Sequence, residues 1–271
     1  MNGNPTERGQ VRLASHTVAV ASGKGGVGKS TVALNLAATW AAAGAAVGLF
    51  DVDVYGPSLP TLVGIAERAT VHEGRIIPFR KFGLTLVSFG FLTLPGRPLM
   101  VRGPMLEGAL RHLIDLVQWP QLDYMVLDLP PGAGEVHAEM LALVHLEGCV
   151  IVTTPQEVAV SDVRRSLRLF SRVGLSVLGF VENMSWIECP NCETRFELFP
   201  AGGASRLSAD SGVPVVGRIP LSTPIAESGD TGVPAVLDPT MPQVRDLFRD
   251  ICSNIDDRLS SSFGGSAQPA T

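Results

Sequence analysis

The stretch Gly23-Lys24-Gly25-Gly26-Val27-Gly28-Lys29-Ser30-Thr31 constrains this chain more than any other. It fits the pattern G-x-x-x-x-G-K-[ST] and adds a second lysine, Lys24, at its front. Glycines let consecutive backbone N–H groups curl around phosphates without Cβ obstruction. Lys29 reaches the β- and γ-phosphates, and the Ser30 hydroxyl is placed to ligate Mg²⁺. The flanks decide whether so short a pattern has meaning. Thr17 to Ala21 reads as a buried strand, and Thr31 to Ala43 is rich in alanine and leucine. That second segment suits a helix whose N-terminal dipole adds to the anion site. Strand, glycine loop and helix arrive in the order a phosphate cradle requires, and they predict Mg²⁺-dependent ATP binding.

The same alternation continues along the chain. Buried strands are expected at Ala46–Phe50, Leu84–Phe89, Tyr124–Leu129, Gly148–Thr153, Leu175–Val181 and Val213–Ile219. Helices are expected at Met105–Val117, Val158–Arg172 and Gln243–Leu259. Apolar strands alternating with helices imply an α/β fold, a mainly parallel sheet covered by helices on both faces. With 271 residues, 45% of them hydrophobic, the chain can build one large core. The expected layout is a flexible segment over residues 1–16, one domain over 17–259 and a disordered tail over 260–271.

Charges, glycines and prolines interrupt every apolar run before membrane-spanning length, and Met1–Gln10 is polar, unlike a signal peptide. A cytoplasmic protein without a membrane partner is expected. The formal net charge of −5 argues against nucleic acid as a partner. Arg164, Arg165 and Arg168 read as a solvated helix face.

Aspartates stand where two strands end, the side on which such sheets bind ligands. Asp128 closes Met125-Val126-Leu127, a setting for a carboxylate that holds Mg²⁺. Asp51 and Asp53 close the strand before it. The lysine signature Lys24-Gly25-Gly26-Val27-Gly28-Lys29-Ser30-Thr31 resembles the deviant Walker A P-loop NTPases, which include nitrogenase iron protein, MinD and ParA. That resemblance implies a homodimer with nucleotide near its interface and gives Lys24 a role on phosphates held by the partner. It makes Pro130-Pro131-Gly132 a switch II whose glycine N–H senses the γ-phosphate. It also makes Asp51 and Asp53 a switch I pair, Asp53 positioning the attacking water and Asp51 in the metal shell.

Further motifs occur in order: Asp53-Val54-Tyr55-Gly56-Pro57-Ser58, Arg102-Gly103-Pro104, Asp128-Leu129-Pro130-Pro131-Gly132, Thr153-Thr154-Pro155-Gln156, Val181-Glu182-Asn183-Met184-Ser185 and Cys189-Pro190-Asn191-Cys192. Together they resemble the Mrp/ApbC iron–sulfur cluster carriers from about Val18 to Pro234. The resemblance implies that Asn183 contacts adenine and that Thr154-Pro155-Gln156 lies near the nucleotide or dimer face. It implies an ATPase that passes a cluster to apo iron–sulfur proteins alongside cluster-assembly factors. Departures from the pattern are Val52 in switch I, Ala133 and Glu135 in switch II, and Pro200 in a glycine-rich stretch. Ala133 and Glu135 bear on hydrolysis rather than on nucleotide binding.

Cys189 and Cys192 place two thiolates where both can reach one soft metal or cluster. Two ligands do not complete a Cys₄ site, and Cys149 and Cys252 sit in core-like contexts. A two-fold dimer supplies four thiolates, which fits the bridging [4Fe–4S] cluster that the resemblance implies. Zinc accepts the same four sulfurs, so a zinc-stabilised regulatory ATPase remains a second reading. A MinD- or ParA-like positional ATPase is a third, although Asp246, Asp250, Asp256 and Asp257 offset the basic residues of the last helix. None of the five histidines clusters with the cysteines. His137, the one beside switch II, reads as structural or solvent-facing.

Overall fold

The computed structural model describes residues 9–93, 103–132, 134–189, 191–192, 194–199 and 202–263. In chain order the strands are β1 (His16–Ser22), β2 (Val47–Asp51), β3 (Thr70–His72), β4 (Arg75–Ile77), β5 (Phe79–Lys81) and β6 (Leu84–Ser88). They continue with β7 (Tyr124–Asp128), β8 (Gly148–Thr153), β9 (Val177–Glu182), β10 (Ile187–Glu188), β11 (Arg195–Phe196) and β12 (Val215–Arg218). The helices are α1 (Lys29–Ala42), α2 (Leu59–Leu62), α3 (Pro104–Leu116), α4 (Glu135–Leu143), α5 (Glu157–Arg172), α6 (Gly203–Ser211), α7 (Thr223–Thr231) and α8 (Pro242–Phe263).

The main sheet runs β12-β9-β8-β1-β7-β2-β6-β5. Its pairs are parallel except for the antiparallel edge pair β5–β6. Strand alternation explains the two layers. Val18 and Val20 of β1 face a cluster with Leu36, Phe248 and Ile255, whereas Ala19 and Ala21 face one with Leu110, Met140 and Phe170. Helices α1 and α8 cover the first face, and α3 to α6 the second. Each fully buried Phe or Leu in these layers contributes about 1.5–3 kcal/mol.

Register decides what the sheet presents. Val20 of β1 and Asp51 of β2 both pair with Asp128 of β7, so both carboxylates reach the same edge as the glycine loop. That edge lies at the carboxyl ends of the parallel strands, where open α/β sheets hold ligands.

Three expectations are corrected. The segment before β1 is packed from Val11 onward. Val11 donates its N–H to the Leu143 carbonyl at 2.8 Å, and Leu13 and Ala14 are buried, because these apolar side chains cover the lower end of the second cluster. Helix α8 continues through Ser260 to Phe263, past the expected end of the domain at residue 259, as Ser261 Oγ donates to the Arg258 carbonyl at 3.0 Å. Helices α4, α6 and α7 and the short strands β3–β5 were not expected. Residues 1–8 and 264–271, together with Arg102, Ala133, Pro190 and Pro200, lie outside the described residues. No helix among the described residues is long and apolar enough to cross a membrane.

Candidate functional site

The glycine loop joins β1 to α1 as expected, and its glycines are required by geometry. A Cβ on Gly23 would lie 2.6 Å from the Val163 backbone nitrogen, so α5 packs directly on the loop. Gly28, the residue before α1, has φ +82°, a left-handed conformation that glycine adopts without strain. A Cβ there would lie 2.3 Å from the Asn183 side-chain nitrogen. No side chain caps α1, which leaves its first N–H groups available to an anion.

Gly28→Ala is expected to cost about 1–2 kcal/mol for the left-handed backbone alone. Displacing Asn183 also breaks the bond its Nδ2 donates to the Val27 carbonyl at 2.9 Å. Chemical denaturation of the variant, followed by ATP titration, checks both losses; an unchanged midpoint would show that the loop relaxes freely.

Lys29 is buried, bonded to Asp128, and 3.3 Å from the Ser30 hydroxyl. Asp51 is fully buried beside them. Its carboxylate accepts the Asp53 N–H at 3.0 Å, the Leu59 N–H at 3.1 Å and the Ser88 hydroxyl at 3.0 Å. Three of a carboxylate's roughly four acceptor positions are thus used to shape the loop from Val52 to Leu59. Asp53 accepts the N–H groups of Tyr55 and Gly56 through Oδ1, at 3.2 and 3.1 Å. Lys24 stands apart from this group, with its ammonium 3.3 Å from the Gln156 side-chain oxygen at the start of α5. Asn183 braces the loop through Val27 and accepts the Met184 N–H at 3.0 Å, so both ends of its amide are engaged. The Gly132 N–H, expected to sense a γ-phosphate, donates here to the Ser22 carbonyl at 2.8 Å.

Burial, and then the charge of Asp128, push the Asp51 carboxyl up to about 7, with Lys29 opposing. Asp128 is also raised by burial, against the pull of Lys29 and of the Ser30 hydroxyl. Two buried carboxylates served by one ammonium have the donor chemistry for a hard divalent cation, so the residues fit Mg²⁺. A raised folded-state carboxyl pKa means that stability falls as pH rises from the unfolded value near 4 through about 7. Mg²⁺ relieves that repulsion only when the carboxylates are ionised. Adding Mg²⁺ is therefore expected to raise Tm more at pH 8 than at pH 5. Equal shifts at the two pH values would place the cation elsewhere.

The cysteine pair stands at a second place, in the hairpin β10–β11. Cys189 N–H donates to the Thr194 carbonyl at 3.0 Å, closing the turn, and the Cys192 sulfur lies 3.3 Å from the Thr194 hydroxyl. Arg195 pairs with Glu188 at 3.1 Å and lies over the Trp186 ring at 5.2 Å, bracing the hairpin. The Thr194 hydroxyl, its backbone N–H and the Cys189 thiol pull the Cys192 thiol below its ordinary value. Cys149 and Cys252 are buried and shifted upward by burial, the pattern of inert core thiols. Among the described residues, no group of three or more His, Cys, Asp and Glu could hold a metal, so the pair finds no third ligand among them.

The residues around Arg164 are solvated, as expected: Arg164 pairs with Glu157 and Asp210, and Arg165 with Asp162. Ser88, which holds Asp51, was not read from sequence; Gln156 receives Lys24, and of the two places expected for His137 the buried one is found, at 1% exposure.

Comparison with known proteins matches this arrangement. A family model of ParA type, described as NUBPL iron-transfer P-loop NTPase, covers residues 13–256. A Synechocystis iron–sulfur cluster carrier protein is 44% identical over 85% of this chain and 67% of its own length. The mouse iron–sulfur cluster transfer protein NUBPL is 40% identical over 90% of this chain and 78% of its own. A nucleotide-binding protein from Archaeoglobus fulgidus, solved with ADP, superposes with a TM-score of 0.72 at 34% identity, covering 84% of this chain and 90% of that one. The cell division ATPase MinD of Pyrococcus furiosus has a TM-score of 0.66 at 21% identity, over 90% of this chain and 99% of that one, which shows the shared fold. With its phosphate loop, strand-end carboxylates and sheet order, this chain belongs to the NUBPL iron-transfer P-loop NTPase family.

Proposed function

We propose that this protein is an ATP-hydrolysing iron–sulfur cluster carrier that binds one [4Fe–4S] cluster between the cysteine pairs of two copies and delivers it to apo-proteins. The observation that carries the reading is the pair Cys189 and Cys192 in one hairpin, without a third ligand among the described residues, on a chain that also has a complete phosphate loop. Curated relatives of this chain, 38–44% identical, bear carrier or transfer names, which favours cargo handling over positional or purely regulatory roles.

The site residues divide the chemistry. The glycine-loop N–H groups and Lys29 bind the phosphates, and Ser30 and Asp128 would hold Mg²⁺, with Asp51 lending charge behind them. Bound there, Mg²⁺ offsets phosphate charge. Asp53, fixed by the N–H groups of Tyr55 and Gly56, orients the attacking water and accepts its proton as the bond to ADP breaks. Lys24, held half-buried near the loop surface by Gln156, is free to reach a second copy. Asn183 sets the loop's shape from beside the base side of the site.

Anaerobic reconstitution with iron and sulfide, followed by metal analysis, absorption spectroscopy and sedimentation, tests this. About four iron and four sulfide per two chains, on a dimer, are expected. Stable zinc with no sulfide would replace the carrier reading with the zinc-stabilised one.

A further inference from the structure

His137 is the third residue of α4, and its ring is 1% exposed. Nδ1 accepts the Gly134 N–H at 3.3 Å, so the neutral ring carries its proton on Nε2. That Nε2–H is buried and has no hydrogen-bond partner. The ring packs on Phe170 of α5, centroids 6.1 Å apart, and lines a cavity of about 600 Å³ with Asp53, Tyr55, Pro131 and Glu135. The walls of that cavity are therefore switch I on one side and the switch II segment on the other. Lys29 and Asp53 are the charges that act on the ring. Burial, and then Lys29, push it down to about 4, so it stays neutral at physiological pH.

An unpaired buried donor is destabilising, so one kept in a folded protein calls for an explanation, a catalytic role among them. The carboxylates of Asp53 and Glu135 line the same cavity. We infer that His137 is a positioning residue for hydrolysis: its Nε2–H holds the Asp53 carboxylate when the two switch loops close on ATP. The inference rests on the proposed role of Asp53. It links α4 to the water-orienting group, so nucleotide closure and chemistry become one event. Misplacing such a group by about 1 Å costs up to about 10²-fold in rate.

Two substitutions separate this role from a structural one. In His137→Asn the amide occupies the Nδ1 position and can still receive the Gly134 N–H, but nothing reaches where Nε2 was. In His137→Gln the amide extends to the Nε2 position and the local acceptor is lost. Steady-state assays with Mg-ATP are expected to show kcat reduced roughly 10–100-fold in His137→Asn with KM nearly unchanged. His137→Gln should stay within about threefold of the parent, although its α4 start is looser. A purely structural histidine predicts the reverse order. His137→Asn at parental turnover, or His137→Gln as impaired as His137→Asn, overturns the assignment. If the parent itself shows no turnover, the hydrolysis reading has failed, and amide exchange of residues 134–143 with a non-hydrolysable ATP analogue decides instead. Protection gained in the parent and His137→Gln but not in His137→Asn supports the contact, and equal protection in all three refutes it.

Discussion

Alanine in place of Lys24 is expected to leave ATP bound and to slow its hydrolysis by roughly 10³–10⁵-fold, the range of a cationic finger supplied to a phosphoryl transfer. Within one chain Lys24 does not serve its own cluster. Its ammonium rests on Gln156, while Lys29 is the cation acting on Asp51, Asp128 and His137. A lysine held at the loop surface by a hydrogen bond to a neutral amide is cheap to redirect, because that bond contributes only about 1.5–3 kcal/mol. Binding should survive, since Lys29 and the N–H cradle remain. Mixing two inactive proteins tests the direction of action. Lys24→Ala and Asp53→Asn chains, allowed to exchange, form mixed dimers in about half of the pairs by random assortment. Each mixed dimer has one complete site if Lys24 works across the interface, so about a quarter of parental activity should return. No recovery in an exchanging mixture would place Lys24 on its own nucleotide.

How far the sequence reached follows from what each signal encodes. The phosphate loop was legible residue by residue, because Gly23 and Gly28 are demanded locally, by a backbone approach and by a left-handed φ. The central strands were legible because they are buried on both faces and read as apolar runs. The edge strand β5 was not, since Phe79–Lys81 carries the charges that an exposed edge strand tolerates. Helix α4 was hidden for another reason. It begins directly after the Pro-Pro-Gly turn, and its short run Val136, Met140 and Leu143 was overshadowed by the motif before it.

At the site, residue types predicted chemistry but not partners. The family resemblance makes Asp51 part of a metal shell; its bonds to Asp53, Leu59 and Ser88 show that it also shapes the loop from Val52 to Leu59. Asn183 reads as a base contact and is found bracing Val27. Such partners come from different strands, and only sheet register brings them together. The sequence leaves His137 between a structural and a solvent-facing place because a lone histidine near a turn carries no signal of burial, which is fixed by Phe170 from α5.

Serine in place of Cys189 or Cys192 is expected to abolish stable cluster loading, while serine at Cys149 or Cys252 should leave it intact. The contrast follows from where the thiols sit. Cys189 and Cys192 converge on an exposed hairpin, and Thr194 favours thiolate at Cys192, the form that binds iron. Cys149 is sealed between β1 and β9, and Cys252 faces α1 across the other core, so neither thiol can approach a metal held at the hairpin. In the proposed bridging arrangement each chain would contribute two sulfurs, and one substitution would remove two of the four ligands from a dimer. If the loaded state exists only in the dimer, cluster binding should also pull the monomer–dimer equilibrium toward dimer by mass action. ATP affinity should survive every cysteine change, since Lys29, Ser30 and the loop glycines make no contact with the thiols. Iron and sulfide counts beside sedimentation and ATP titration separate these effects. A full cluster on a monomer, or parental loading in Cys192→Ser, would mean that the ligands lie elsewhere. Loss of loading together with loss of ATP binding would instead report a misfolded chain, which the unchanged nucleotide affinity of the serine variants is there to exclude.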